Sequence, residues 1–449
     1  MDFKLIKSYK KFSDILYSNI YISNLALEFI DSAPFQRLRK INQLGVASLV
    51  FNCASHKRFE HSVGTYHLAG KILDSIKRTS HENIKAYLKQ IPDLKKYYSK
   101  NEIELDDYIC ELIKIAALCH DIGHGPFSHL FDDVINNVDH PNKTHEVRSQ
   151  IIIEDIINNN VILSKVITKE EVIFIKNIIF PKNINTGFIY QIVSNNYNGL
   201  DVDKYDYIVR DSYMFGNKID FDYCELMEQI KVIDNIICYQ ESSLYQIVKM
   251  YNTRYGLHKE KYIHKSVISA QYLILEIIKN LDPIIKITES IYNLEKFYQL
   301  TDDYILNAVY FIEKIDYENK YQENIKNIKI ILELLNTHTL YPLVGKKICD
   351  KEINLCKENL KDIKNYENKY EDDLLIFNTK IGYVSGNKKN PLKHLYGFNN
   401  SSDEKIKINT KNISYLIPKV YQEYVTYIFY KKINDKQAIE KLRHIFNNF

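Results

Sequence analysis

Apolar residues recur every third or fourth position along GTYHLAGKILDSIKR (64–78) and DDYICELIKIAALCHDI (106–122). That period places them on one stripe and predicts two amphipathic helices. Most of the first 320 residues follow the same pattern. Breakers interrupt it at Gly123, Gly125 and Pro126, at Pro141, at Pro181 and in NYNG (196–199). Residues 78–107 are polar and rich in Lys and Tyr, which predicts a surface excursion.

The pattern changes after about residue 370. LLIFNTKIGYV (374–384), EKIKINT (404–410) and YVTYIFYKK (424–432) alternate or run rich in β-formers, and predict strands. KQAIEKLRHIF (436–446) returns to helical spacing, and residues 399–405 are expected to be an exposed loop. The simplest architecture is a large helical body with a small α+β lobe at the C-terminal end.

Composition adds exclusions. Apolar residues make up 45% of the 449, ordinary for a globular chain. No apolar run approaches the roughly 20 residues of a membrane span. The N-terminus MDFKLIKSYKKFSDIL lacks a signal-peptide apolar core, so a soluble intracellular protein (cytoplasm or nucleus) is expected. The net charge of +3 does not by itself imply a polyanion partner. Seven cysteines, at 53, 110, 119, 224, 238, 349 and 356, form no CxxC pair, so buried reduced thiols are expected.

Histidines carry the chemistry. Nine of fourteen fall between residues 56 and 145, where even spreading would place about three. His56, His67, His81 and His140 fit ordinary core positions as well as any site. Arg58 and His61 are three apart and share a helical face. His120 and Asp121 end the next apolar helix. Asp203, Tyr207 and Asp211 form a stripe at i, i+4 and i+8, with Asp201 just ahead and Ile208 and Val209 off it. Two imidazoles and two carboxylates from three helices suit a first-row divalent ion with open positions for water and substrate.

HKRFEHS (56–62), CHDIGHGPFSH (119–129) and DVDKYDYIVRD (201–211), in this order, resemble the HD-domain superfamily. Within it the chain is most similar to the SAM-and-HD-domain-containing deoxynucleoside triphosphate triphosphohydrolases. The likeness runs from FSD (12–14) through DSAPFQRLRKINQLG (31–45) to about residue 270, and faintly onward; no SAM module is expected ahead of it. The resemblance implies a mainly α fold: an N-terminal segment (1–30), an HD phosphohydrolase helical body (31–320) and a C-terminal α+β lobe (321–449). It implies a divalent metal ion (Mg, Mn, Fe or Zn) on His61, His120, Asp121 and Asp203. Phosphate and catalytic positions fall on His124, His129, Asp132 and His145. Sugar and phosphate positions fall on Gln43, Leu44, Arg58, Lys204, Tyr207, Asp211, Arg254 and Tyr262. The implied activity is hydrolysis of a deoxynucleoside triphosphate to deoxynucleoside and triphosphate by a homo-oligomer, dimer or tetramer.

Those residue types suit that chemistry. Arg58, Lys204 and Arg254, with a metal ion, can offset the charge of a triphosphate. His129 and Asp132 are three apart, and an Asp beside a His raises its pKa, which suits a general acid for the leaving 5′-oxygen. His124 and His145 are expected to face the phosphates. Asp132 also fits a plain helix N-terminal charge. The glycines and proline of GHGP are expected to stop the helix and bring backbone close to the ligand.

The family's effector pocket is kept in part: Asp31, Gln36 and Arg39 match its guanine-reading residues, and Lys265 a basic one. Glu225, Gln240, His338 and Pro342 stand at its other positions, so nucleotide activation is expected to be lost or altered. A glutamine near the base is Ile263 here, which leaves base preference open. Two alternatives remain: another HD-type phosphohydrolase (nucleotidase or phosphodiesterase), or a non-catalytic HD scaffold binding single-stranded nucleic acid weakly through DLKKYYSK (93–100) and VSGNKKNPLKH (384–394).

Overall fold

The helix expected from Arg58 runs over Arg58–Thr79 (α1), and Glu60 accepts a hydrogen bond from the Lys57 amide at 2.9 Å. The next runs over Asp107–Cys119 (α2); its N-cap Asp106 accepts from the Ile109 amide at 2.8 Å. All of α2 except Asp107 and Lys114 is buried, so it is the central helix. A computed structural model describes residues 4–136, 142, 144–182, 185–315, 320–384, 390–399 and 402–447. His140, Pro141 and residues 385–389 of the lysine-rich stretch lie outside the described residues.

Then come α3 (His129–Ile135), α4 (His145–Asn159), α5 (Lys169–Ile179) and α6 (Val202–Met214), with α5 packed on both α2 and α4. Helix α1 packs on α2 on one side and on α6 on the other. Two strands, β1 (Tyr9–Asp14) and β2 (Ser18–Ser23), form an antiparallel hairpin whose Ile20 and Ile22 are fully buried in the same core. Helices α7 (Leu244–Leu257), α8 (Lys265–Ile285), α9 (Asp302–Ile315) and α10 (Gln322–Asn336) follow, with α9 and α10 both against α8.

The C-terminal region is α+β. Strands β5 (Leu343–Cys349), β6 (Leu374–Gly382) and β9 (Gln422–Tyr430) form an antiparallel sheet with β9 in the middle. Helix α11 (Lys436–Phe446) covers β5 with its apolar stripe, burying Leu442 and Phe446. A second sheet runs β3 (Ile230–Ile233), β4 (Ile236–Gln240), β7 (Tyr396–Asn399), β8 (Ser402–Lys407), with β4 and β7 parallel. The fold is mainly α with a C-terminal α+β region. No helix among the described residues is long and apolar enough to cross a membrane.

Four expectations are corrected. Residues 78–107 are not a plain excursion: helices at His81–Leu88 and Lys95–Tyr98, with a 3-10 turn at Pro92–Leu94 between them, bury Leu88, Leu94 and Tyr97, one apolar anchor per turn being enough to dock a polar segment. Residues 402–405 are strand rather than loop, because Asn399 pairs with Ser402 across the β7–β8 hairpin. The strand expected over 404–410 ends at Lys407, and the Asn409 side chain starts a helical turn by accepting from the Lys411 amide. All seven thiols are free, but only Cys110, Cys119 and Cys238 are buried; Cys349 is intermediate, and Cys53, Cys224 and Cys356 are exposed.

Candidate active site

The four expected metal ligands converge. His61 projects from the first turn of α1, His120 and Asp121 from the end of α2, and Asp203 from the first turn of α6. His61 Nε2 lies 3.4 Å from Asp121 Oδ2 and 3.2 Å from Asp203 Oδ1. His120 Nε2 lies 3.3 Å from Asp121 Oδ1 and 3.5 Å from Asp203 Oδ1. Two atoms each ~2.1 Å from one ion stand ~3.0–3.4 Å apart, so this spacing fits shared coordination.

The imidazoles are oriented for it. His61 Nδ1–H donates to Asp206 Oδ2 at 2.8 Å and His120 Nδ1–H to the Ala117 carbonyl at 2.7 Å. Both Nε2 atoms are buried without a hydrogen-bond partner. An unpartnered buried nitrogen is costly, and a cation would satisfy both at once. Burial works to raise the Asp121 pKa, yet His120, Arg58 and His124 hold it well below the usual carboxylate range, so it stays anionic. These residues fit a divalent ion.

Asp121 and Asp203 line a cavity of about 870 Å³, with His61 and His120 behind them. All eight expected sugar and phosphate residues line it, as do His124, His129 and His145. Lys204 keeps its charge: burial opposes it, but Asp201 and Asp203 push its pKa above the usual value. Arg254 Nε donates to the Tyr207 hydroxyl at 3.0 Å, and the same guanidinium reaches the Gly382 carbonyl. Arg58 is tied inward to Asp121 and to Ser128 Oγ, the latter at 2.9 Å. The Asp211 carboxylate is held at both oxygens, by His56 Nε2 at 2.8 Å and by the Tyr262 hydroxyl at 2.5 Å. Gln43 Oε1 is buried without a partner, and Leu44 is half-buried beside it.

A second cluster borders the first. The rings of His124 and His145 stack at 3.8 Å, and burial together with Arg58 and His145 pushes the His124 pKa well below the imidazole range. One pairing differs from expectation. Asp132 Oδ2 lies 2.7 Å from His145 Nδ1 but 4.0 Å from His129 Nδ1, and its other oxygen takes Arg148. His129 stands exposed at the mouth as the first residue of α3, and its pKa is not raised as expected: desolvation, His145 and Arg58 push it down to about 4, with Asp132 too distant to offset them.

The glycines also differ in purpose. A Cβ on Gly123 would sit 2.2 Å from the His145 carbonyl oxygen, and one on Gly125 2.3 Å from the Phe131 ring. They permit close packing of the loop on α3 and α4 rather than on a ligand. Phe127 and Ser128 adopt φ near +60°. Asp302 accepts from the Phe127 amide at 2.7 Å and holds that strained pair in place.

The effector-like residues gather elsewhere. Asp31, Gln36 and Arg39 line a cavity of about 490 Å³ with Lys10, Lys11, Phe12, Ser13 and Ile30. Lys265 is not in that lining; it is exposed at the start of α8.

Comparison with known proteins agrees with this geometry. An HD-domain family model matches residues 58–173. An HD domain-containing protein, L394, of Acanthamoeba polyphaga mimivirus is 37% identical over 98% of this chain and 95% of its own. The deoxynucleoside triphosphate triphosphohydrolase SAMHD1 homolog of Dictyostelium discoideum is 32% identical over 99% of this chain and 81% of its own. The chain belongs to the HD-domain family, on its SAMHD1-like branch. Human deoxynucleoside triphosphate triphosphohydrolase SAMHD1 is 29% identical over 98% of this chain and 73% of its own length. Membership supports a phosphohydrolase, and the paired histidines and aspartates are those an HD domain would use for a divalent metal.

Sequence reasoning about this HD-domain chain missed several residues. Asp206, the partner of His61, lies one step off the stripe of Asp203, Tyr207 and Asp211. Its signal was the i, i+4 spacing to Arg210, which donates to it at 2.8 Å. His56 is not an ordinary core histidine, since it holds Asp211. Nothing in local sequence singled out His258, Ser128 or Gln271, which line the cavity from distant segments.

Proposed function

We propose that the chain hydrolyses deoxynucleoside triphosphates to deoxynucleoside and triphosphate, with water attacking the α-phosphorus. One observation carries the reading: two carboxylates, backed by a buried pair of imidazoles whose Nε2 atoms lack hydrogen-bond partners, line one cavity with Arg58, Lys204, Tyr207 and Arg254. A divalent ion on His61, His120, Asp121 and Asp203 supplies water activation and charge neutralisation when bound. Lys204, Arg254 and Tyr207 then hold the triphosphate, and His124 and His145 face it. His129 delivers the proton to the leaving 5′-oxygen, the charge of the bound phosphates raising its pKa, while Asp132 orients His145 and reaches His129 at longer range.

Gln43, Leu44 and Tyr262 crowd the sugar, and Asp211 takes a sugar hydroxyl. This wall selects deoxyribose. Ile263, which is buried, offers no hydrogen bond for base selection. The enzyme works as a homo-oligomer, dimer or tetramer, and activation by guanine nucleotide at Asp31, Gln36 and Arg39 is lost or altered, since the acidic Glu225 would repel an effector triphosphate. Sigmoidal activation of hydrolysis by dGTP contradicts that last statement.

The test is to incubate the protein plus Mn²⁺ or Mg²⁺ with each dNTP and NTP and to identify products by phosphorus NMR. Inorganic triphosphate from dNTPs, lost in His120→Ala and Asp121→Ala, is expected. Orthophosphate, pyrophosphate or nucleotide monophosphate turnover points instead to another HD-type phosphohydrolase.

A further inference from the structure

Behind the metal ligands lies a buried chain of charges that reaches the N-terminal hairpin. Asp206 is fully buried, and each of its oxygens accepts two hydrogen bonds. Oδ2 takes His61 Nδ1–H and Arg210 Nε, both at 2.8 Å; Oδ1 takes the Tyr17 hydroxyl at 2.8 Å and Arg210 Nη2 at 3.0 Å. Arg210 is the largest fully buried side chain, and its remaining nitrogen, Nη1, meets Asp14 Oδ2 at 2.9 Å. Asp14 ends β1, and its other oxygen caps the hairpin turn by accepting from the Leu16 amide at 2.8 Å and the Tyr17 amide at 3.1 Å. Helix α1 comes so close to α6 here that a Cβ on Gly64 would lie 2.0 Å from Asp206 Oδ1.

We propose that the β1–β2 hairpin is the outer tier of the metal centre: Asp14 and Tyr17 act through Arg210 and Asp206 to fix the tautomer and donor strength of His61. The physical reason is charge division. One buried guanidinium between two carboxylates leaves Asp206 only partly neutralised, and the residual negative charge makes His61 the stronger donor at Nε2. Without Asp14 the whole Arg210 charge falls on Asp206, and His61 weakens. The Tyr17 hydroxyl fixes the plane of the Asp206 carboxylate, which sets the ring of His61. Asp14, Tyr17, Arg210 and Asp206 are therefore positioning residues. The proposal rests on the reading of His61 as a metal ligand, not on the identity of the substrate.

The test uses the full chain stripped of metal and titrated with Mn²⁺ by calorimetry. Asp206→Asn is expected to weaken binding about 10- to 100-fold, as for other partners of metal-bound histidines. Asp14→Asn and Tyr17→Phe are expected to weaken it by several-fold, on the order of 3 to 10. Hydrogen exchange supplies a second readout on the wild type: amides of residues 9–23 are expected to slow when Mn²⁺ binds. Asp14→Asn and Tyr17→Phe with unchanged Mn²⁺ affinity but a lower melting temperature overturn the proposal, since the hairpin is then only structural. If Asp14→Asn does not fold, Tyr17→Phe and the exchange data decide, and hairpin exchange indifferent to Mn²⁺ overturns it. A wild type that fails to bind Mn²⁺ overturns it as well. Tight Mn²⁺ binding without triphosphate release would sink the proposed activity and leave the relay standing.

Discussion

Asp132 lies 2.7 Å from His145 and 4.0 Å from His129, so the carboxylate orients the half-buried imidazole and reaches the exposed one only at longer range. Burial opposes ionisation of Asp132, but His145, His124 and Arg148 hold its pKa below the usual carboxylate range. If His129 is the proton donor, His129→Ala lowers kcat about 10²- to 10⁴-fold with KM little changed. Asp132→Asn then acts mainly through His145, raising KM along with its smaller loss of kcat. Steady-state kinetics on both variants check this; equal loss from His145→Ala with His129→Ala inert reverses the assignment.

Metal should stabilise the fold as well as permit turnover. Mn²⁺ at about 100 times its dissociation constant adds about 2.7 kcal/mol to the wild type by mass action. His120→Ala and Asp121→Ala, each lacking a ligand, are expected to lose that gain. Thermal melts with and without Mn²⁺ read it directly, and full stabilisation of both variants contradicts the site.

Asp302 gives a pH prediction. Burial raises its carboxyl pKa to about 6, despite hydrogen bonds from the Phe127 and Asn42 amides. The folded state therefore keeps the proton between the unfolded value near ~4 and about 6, while the unfolded chain releases it. Stability from this group is present below ~4, falls as pH rises through that window, and is lost above 6, in all about 3 kcal/mol. Asp302→Asn cannot ionise, so its unfolding free energy should fall less between pH 4 and pH 6.5 than that of the wild type. Denaturant unfolding across that range makes the comparison, and parallel curves refute it.

Two glycines should respond in opposite directions. Gly123→Ala puts a methyl 2.2 Å from the His145 carbonyl oxygen and 2.5 Å from the Ser149 nitrogen, both backbone atoms that cannot swing away. It is expected to cost 1–3 kcal/mol or roughly more, and to displace His124 and His145. Gly256, inside α7, has nothing within 4 Å of a built Cβ, so Gly256→Ala should gain roughly 0.5–1 kcal/mol. Chemical denaturation of both variants tests the pair.

How much of this was legible in the sequence follows from range. Helices α1 and α2 and strands β6 and β9 follow from local periodicity, and the metal ligands from motifs that each lie within one element. What sequence could not supply depended on contacts across the fold. Asp132 sits three residues from His129 and thirteen from His145, yet packing of α3 on α4 favours the distant partner. His56 meets Asp211 across 155 positions and Tyr17 meets Asp206 across 189, separations that periodicity does not register. Leu88 and Leu94 were hidden for the opposite reason: a polar segment needs only a few anchors to be drawn inward.

The bond from the Phe127 amide to Asp302 spans 175 residues. During synthesis the loop carrying His124 emerges long before its clamp does, and the left-handed backbone at Phe127 and Ser128 has no counterweight until the later helix arrives. The nascent chain therefore holds this loop without its clamp until the segment carrying Asp302 has been made.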